Sequence, residues 1–314
     1  MKISGPPAAT LTGQAVGDAM GMPFEMSPCH SRQLLTWNGE FLDGRNSPYT
    51  KNLKAGQWTD DTMMAKALAE SLWAEKTYSP ADAARRYLAW FQSGDLRGIG
   101  TSTQEAMQKL ASGLPWSQSG TPGAEGNGTA MRAAPIGLFF RLNIQAAVEM
   151  AAIDARLTHQ SLEAEAGSMA VAAGVASLLR GATPQTFINK VLEWIPEKTQ
   201  MRFRLMAAAA RTLPHRPERE LAEAICDMGA AAHVIQTVPA AFMAVSSTKN
   251  FRDAVRAAIL AGGDTDTTAA IAGALAGTYY GIEQVAPFLE KVEAAQELRD
   301  LEQNLFSAAR PVYR

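Results

Sequence analysis

Gly262-Gly263-Asp264-Thr265-Asp266-Thr267-Thr268-Ala269-Ala270-Ile271-Ala272-Gly273-Ala274-Leu275-Ala276 sets the fold class and points at the chemistry. Two glycines are followed by aspartates alternating with threonines, and these run into small apolar residues. Carboxyl and hydroxyl side chains at a helix start accept from free backbone N–H groups and favour the positive end of the dipole. Ala269, Ile271, Ala272, Leu275 and Ala276 suit a helix packed closely by its neighbours. Far upstream stands a counterpart, Gln57-Trp58-Thr59-Asp60-Asp61-Thr62-Met63-Met64. No Lys or Arg occurs from Ala257 through Glu290, and the basic residues nearest in sequence to Asp60 and Asp61 are Lys54 and Lys66. Capping explains either stretch alone. Both together exceed what capping needs, and four carboxylates that meet in space need cations. Oxygen donors without His or Cys nearby favour Mg²⁺, Mn²⁺ or Ca²⁺ over zinc. Adjacent helical side chains diverge by about 100°, so Asp60 and Asp61 either serve two ions or lie where the helix is only starting.

The chain has 314 residues, 47% hydrophobic and 19% charged, with a net charge of −2. That length supports a large core. The absence of a basic excess argues against general nucleic-acid binding. Cys29 and Cys226 make no disulfide framework, which favours a reducing compartment. Met1 to Met22 has no signal-peptide pattern, and no stretch reads as a membrane span. The expectation is a soluble, cytoplasmic protein, monomeric, without membrane contact.

Apolar residues recur every three or four positions almost throughout, with no sustained alternation and no fixed-length repeat. Leu11, Ala15 and Ala19 give a first helix ended by Gly21 and Pro23. Ser27 to Gly56 reads as one long loop. Thr59 and Asp60 open a helix through Met64, Leu68 and Leu72. Ser79-Pro80 opens the next, and Gly94 to Ser102 and Gly113 to Gly128 are Gly-rich loops around a short helix at Met107 and Leu110. A long helix through Leu162 and Ala173 closes near Gly181. Further helices start at Thr183-Pro184, at Pro217 and at Asn250, and two more end the chain. No Pro- or Ser-rich linker divides it. The expected fold is all-α, one compact domain over residues 1–314.

Three other places carry possible chemistry. Asp18 lies in the first helix, and Glu25 lies just past the Gly21–Pro23 break. Glu25 is either a solvated loop carboxylate or a mobile general base beside the metal site. Gly126-Asn127-Gly128-Thr129-Ala130-Met131-Arg132 is a Gly-rich loop leading into a helix, which can offer amides to an anion, with Arg132 adding charge. His159 and the loop Gly98-Ile99-Gly100-Thr101-Ser102 are, by themselves, a structural histidine and a flexible connection.

As an ordered set, Gly17-Asp18 with Gly21 and Glu25, Thr59-Asp60-Asp61-Thr62, Gly126-Asn127-Gly128 with Met131-Arg132, Thr158-His159 and Gly262-Gly263-Asp264-Thr265-Asp266-Thr267 resemble the ADP-ribosylglycohydrolase family. The resemblance implies an orthogonal helical bundle with a dinuclear centre of two Mg²⁺ (or Mn²⁺). It implies ligands from Thr59, Asp60, Asp61, Asp264, Asp266 and Thr267. It implies ADP-ribose contacts from Gly98, Gly100, Asn127, Gly128, Thr129, Met131 and His159. Catalysis would fall to Glu25, helped by Asp60 or Asp61. The implied activity is hydrolysis that removes ADP-ribose from arginine- or serine-type side chains of modified protein. Two other classes stay open: a hydrolase of free ADP-ribose derivatives or nucleotides, and a non-catalytic ADP-ribose-binding or structural member.

Overall fold

A computed structural model describes residues 8–45, 47–212 and 217–308, and they are predominantly helical. Caps visible in the sequence open the helices. Thr59 caps Asp60–Glu75 by accepting from the Asp61 N–H, Ser79 caps Pro80–Ser93, and Asn250 caps Phe251–Leu260. Asp264 caps Thr265–Tyr280 through the Thr267 N–H.

The centre of the fold is the pair Thr10–Gly21 and Thr265–Tyr280, the most extensive helix contact in the molecule. Glycines at every fourth position of the first helix face the second. A Cβ at Gly13 would lie 2.4 Å from the Gly273 carbonyl oxygen, at Gly17 2.0 Å from that of Ala269, and at Gly21 2.3 Å from that of Thr265. The reverse holds at Gly273 and Gly277, whose Cβ atoms would meet the carbonyls of Gly13 and Ala9 at 2.2 and 2.1 Å. The order of these contacts makes the helices antiparallel. Backbone therefore lies on backbone, and many close atom pairs sum to substantial attraction. At one end Thr265 Oγ1 donates to the Gly21 carbonyl at 2.8 Å. That end carries the candidate site residues: Asp18 and Glu25 from one chain segment, Asp264 and Asp266 from the other.

Several expectations are corrected. The loop from Ser27 to Gly56 contains a short helix, Arg32–Leu35, capped by Ser31. The Gly113–Gly128 loop contains a two-residue strand, Thr121–Pro122, paired in parallel with His159–Gln160. The helix expected at Thr183-Pro184 begins at Phe187, because Thr183 and Thr186 form a turn of their own. Val234–Ser246 holds Pro239 in its interior. A proline has no N–H for the carbonyl four residues earlier, and Arg204 Nε donates to that orphan, the Ile235 carbonyl, at 3.1 Å. Leu162–Leu179 is long and apolar enough to cross a membrane by length and composition, contrary to the reading above, but 78% of it is buried inside the fold. It packs as a core helix.

Candidate active site

Asp18 organises the site without facing it. It is fully buried and accepts four hydrogen bonds: from the backbone N–H of Thr59 at 3.0 Å and of Thr62 at 3.1 Å, and from the hydroxyls of Thr59 at 2.9 Å and Thr62 at 2.6 Å. One carboxylate on the first helix thus fixes the start of the Asp60–Glu75 helix. Burial pushes its carboxyl up to about 6, against the pull of those four bonds. Gln14, a turn earlier, donates to the Asp61 carbonyl at 3.1 Å and the Met131 carbonyl at 2.9 Å, tying three segments together.

Asp60 and Asp61 then meet Asp264 and Asp266 at the end of the glycine seam. All four are at most 5% exposed. Burial, then the charges of neighbouring carboxylates, holds Asp60, Asp61 and Asp266 well above the ordinary carboxylate range. Thr267 Oγ1 donates to Asp61 Oδ2 at 3.3 Å, and Thr59 Oγ1, whose hydrogen goes to Asp18, lies 3.3 Å from the same oxygen. Asp264 Oδ2 accepts from Asn127 Nδ2 at 2.8 Å. Asp61 Oδ1 and Asp266 Oδ1 are buried with no hydrogen-bond partner. A buried acceptor without a partner is costly, and two in one repelling cluster is an arrangement suited to cations.

Glu25 faces the same cleft and is part-buried. Burial, then the charges of Asp264 and Asp18, pushes its carboxyl up to about 8, against a hydrogen bond from Ser47 at 3.2 Å. The backbone just after Glu25 is tied to the glycines before Asp264: Met26 N–H donates to the Gly263 carbonyl at 2.7 Å and the Gly263 N–H to the Ser27 carbonyl at 2.9 Å.

The facing wall is Gly126–Gly128 with His159. Here the sequence reading of Arg132 is overturned. Its side chain is fully buried and engaged by protein: Asp154 Oδ2 at 2.7 Å, the Asp154 carbonyl at 2.8 Å, the Gly128 carbonyl at 2.9 Å and Thr158 Oγ1 at 2.9 Å. Tyr78 and Tyr87 donate to the other Asp154 oxygen. Arg132 therefore positions the wall and adds no charge to the cleft. The expected helix start at Gly128 is a 3₁₀ turn, Asn127–Thr129, and the following helix begins at Ala134. Thr158 Oγ1 accepts from Arg132 and shares a hydrogen bond with His159 Nδ1 at 2.8 Å. Burial and the Arg132 charge push the imidazole down to about 3. The ring is therefore neutral, with Nε2 on the side nearest Gly126.

These walls bound a cleft of about 320 Å³. Glu25, Asp60, Asp61, Asp264, Asp266, Thr267, Gly98, Gly100, Asn127, Gly128, Met131 and His159 line it. Thr59 and Thr129 do not. Thr59 is buried behind Asp61, and the Thr129 hydroxyl donates to the Ala164 carbonyl at 2.9 Å. Ile99, Thr101 and Ser102 of the Gly98 loop line the cleft too, and so do Tyr49, Thr103 and Ala232, which were not singled out from sequence; nothing in the spacing of the last three marks them. Asp18 and Asp154 were legible only as acids on helices, with no sign of what they hold.

Among the described residues, no three His, Cys, Asp or Glu side chains already surround one point as a metal's ligands. The donor set nevertheless fits hard divalent ions. Mg²⁺ commonly takes one or two carboxylates and keeps several waters. The orphaned oxygens of Asp61 and Asp266, with the Thr267 hydroxyl in reach, supply that kind of partial shell.

The ADP-ribosylglycohydrolase family model matches residues 8–314. The chain is 30% identical to ADP-ribosylarginine hydrolase Tri1 of Pseudomonas putida (strain GB-1), over 95% of this chain and 77% of that protein. It is 29% identical to ADP-ribosylhydrolase ARH3 of Danio rerio, over 94% and 88%. A solved structure described as an ADP-ribosylglycohydrolase-related protein complex superposes with a TM-score of 0.76 at 28% identity, covering 96% of this chain and 97% of that one.

Proposed function

The chain belongs to the ADP-ribosylglycohydrolase family, and from that premise we propose that it hydrolyses the glycosidic bond between ADP-ribose and an arginine- or serine-type side chain of modified protein, with two divalent metal ions. The observation that carries this reading is the buried cluster of Asp60, Asp61, Asp264 and Asp266, with two unpartnered oxygens, in the same cleft as Glu25. Asp60, Asp61, Asp264, Asp266 and Thr267 would hold the ions, with Thr59 behind them. Mg²⁺ or Mn²⁺ bound there would supply Lewis acidity toward the ribose hydroxyls and the reacting water.

The chain's own residues supply the rest. Asn127, fixed by Thr237 at 3.0 Å, holds Asp264 in place. Gly126 and Gly128 let the substrate approach the backbone beside His159, whose neutral ring can hydrogen-bond without adding charge. Binding of the distant ADP moiety along this wall orients the anomeric carbon. Glu25, facing the same cleft as the aspartate cluster, can in its ionised form take the proton of the attacking water as the bond to the side chain opens through an oxocarbenium-like state. The products are free ADP-ribose and the restored side chain, which regains a proton.

The test incubates arginine- and serine-ADP-ribosylated peptides with the protein, with and without Mg²⁺ or Mn²⁺. Release of ADP-ribose that stops on chelation and in Asp60→Asn or Asp264→Asn is expected. Full activity in a chelated sample refutes the metal assignment, and release of AMP or phosphate in place of ADP-ribose refutes the reaction.

A further inference from the structure

Arg97 does not line the cleft, yet its polar groups hold one wall of it. Nε and one terminal nitrogen form a fork to Asp95, each at 2.9 Å. Both terminal nitrogens also reach Glu293, one of them at 3.2 Å. A further bond goes to the Trp58 carbonyl at 3.3 Å, and the guanidinium lies 5.6 Å from the centre of the Trp58 ring. All five N–H groups are used, and the side chain is 13% exposed. The Arg97 carbonyl accepts from the Asp60 N–H at 2.8 Å. The next residue, Gly98, has φ of +80°, and a Cβ there would lie 2.9 Å from Asp60 Oδ1. The wall that Arg97 carries therefore rests directly on a carboxylate of the cluster.

The other end of the clamp is anchored too. Glu293 N–H donates to the Gly56 carbonyl at 2.9 Å, and Trp58 Nε1 donates to the Glu293 carbonyl at 2.8 Å. The turn before the final helix is thus laced to the segment leading into Thr59 and Asp60. A planar fork facing two carboxylates fixes direction as well as distance, which a point charge does not.

We infer that Arg97, braced by Glu293, is a positioning residue that seats the Gly98–Thr103 wall on Asp60 and so sets the depth of the cleft. Calling that cleft the active site rests on the function proposed above; the placement of the wall does not. Two consequences separate this role from general stability. The loosened region is confined to the Asp60 amide and residues 98–103. Lysine, which keeps the charge and loses the fork, does not restore it.

The experiment is hydrogen exchange on Arg97→Ala, Arg97→Lys and Glu293→Gln beside the parent, with melting curves and steady-state kinetics on the ADP-ribosylated peptide that the parent cleaves. Exchange at Asp60 and 98–103 should rise about tenfold in all three variants, the order expected for one lost charge-assisted contact, while amides inside the Asp60–Glu75 helix stay protected. KM should rise by a larger factor than kcat falls, since the wall is a binding surface. Parent-like exchange at Asp60 and 98–103 in folded variants overturns the inference, as does full rescue by Arg97→Lys. If Arg97→Ala does not fold, the other two variants carry the same readout. A parent that cleaves no ADP-ribosylated peptide refutes the proposed function, while exchange still decides the role of Arg97.

Discussion

Replacing Gly273 with alanine tests the central pair of helices. The added methyl carbon would stand 2.2 Å from the Gly13 carbonyl oxygen and 3.0 Å from its carbon. A carbon and a carbonyl oxygen rest at about 3.3 Å, so the two backbones must part by about 1 Å. A gap of that size forfeits about a quarter to a half of the attraction of each atom pair it opens. Overpacking of this kind costs about 1–3 kcal/mol. Alanine in place of glycine inside a helix returns about 0.8–1 kcal/mol of propensity. A clash of 2.2 Å with rigid backbone belongs at the upper end of that cost, so the net expectation is a loss of about 1–2 kcal/mol, or roughly 1.5–3 °C in Tm for a chain of this size. The control is Gly100→Ala, where φ is −75° and no atom lies within 4 Å of the new methyl. There the methyl meets no atom, and only two opposed effects of about 1 kcal/mol or less remain: alanine is the poorer cap for the helix Thr101–Ala111, and it restricts the unfolded chain. Calorimetry or denaturant unfolding of both variants reads the larger loss at Gly273. A Gly273→Ala protein that melts at or above the parent temperature refutes the account of the seam.

Glu25→Gln keeps shape and removes the proton acceptor. Turnover should fall by about 10²–10⁴ with metal affinity unchanged by titration calorimetry; near-parent turnover would rule out the base, and weakened metal binding would make Glu25 a ligand. Glu302 lies outside the cleft, buried, accepting from the Leu11 N–H at 2.9 Å, Thr12 Oγ1 at 3.1 Å and Arg299 at 3.1 Å. Burial outweighs these donors and pushes its carboxyl up from 4.5 to about 7. The folded state therefore holds a proton that the unfolded chain releases, so this contribution is full below pH 4.5 and is lost as pH rises through about 7. Unfolding curves across that window should show the parent losing stability relative to Glu302→Gln, and parallel profiles would refute the assignment.

Periodicity and caps made the helices legible because each cap is a local event. Thr59, Ser79, Asn250 and Asp264 need only their own next turn to declare a helix start. The breaks in legibility are where a distant partner decides. Pro239 survives inside a helix because Arg204, remote in sequence, bonds the Ile235 carbonyl that the proline leaves free. Arg132 has the composition of an anion site beside a Gly-rich loop, and only the fold reveals Asp154, Tyr78 and Tyr87 around it. The aspartate pairs were visible as excess acid, and their convergence follows from the glycine seam. The four-residue spacing of Gly13, Gly17 and Gly21 was present in the sequence. Its meaning required the matching spacing of Ala269, Gly273 and Gly277 on the partner helix. Tyr49, Thr103 and Ala232 carry no chemical signature, so the remainder of the cleft could be found only in three dimensions.

The seam also imposes a schedule on synthesis. Gly21 and Thr265 are 244 residues apart along the chain and touch through one hydrogen bond. A ribosome adding about 5–20 residues each second needs on the order of 12–50 s to make what separates them. During that interval the face of the first helix that carries Gly13, Gly17 and Gly21 lacks the helix it packs against. Asp18, Asp60 and Asp61 can already be joined in the emerging polypeptide, but Asp264 and Asp266 have not yet been made. The nascent chain therefore cannot present the complete acidic cluster to cations, and that cluster is among the last parts of the fold to come into existence.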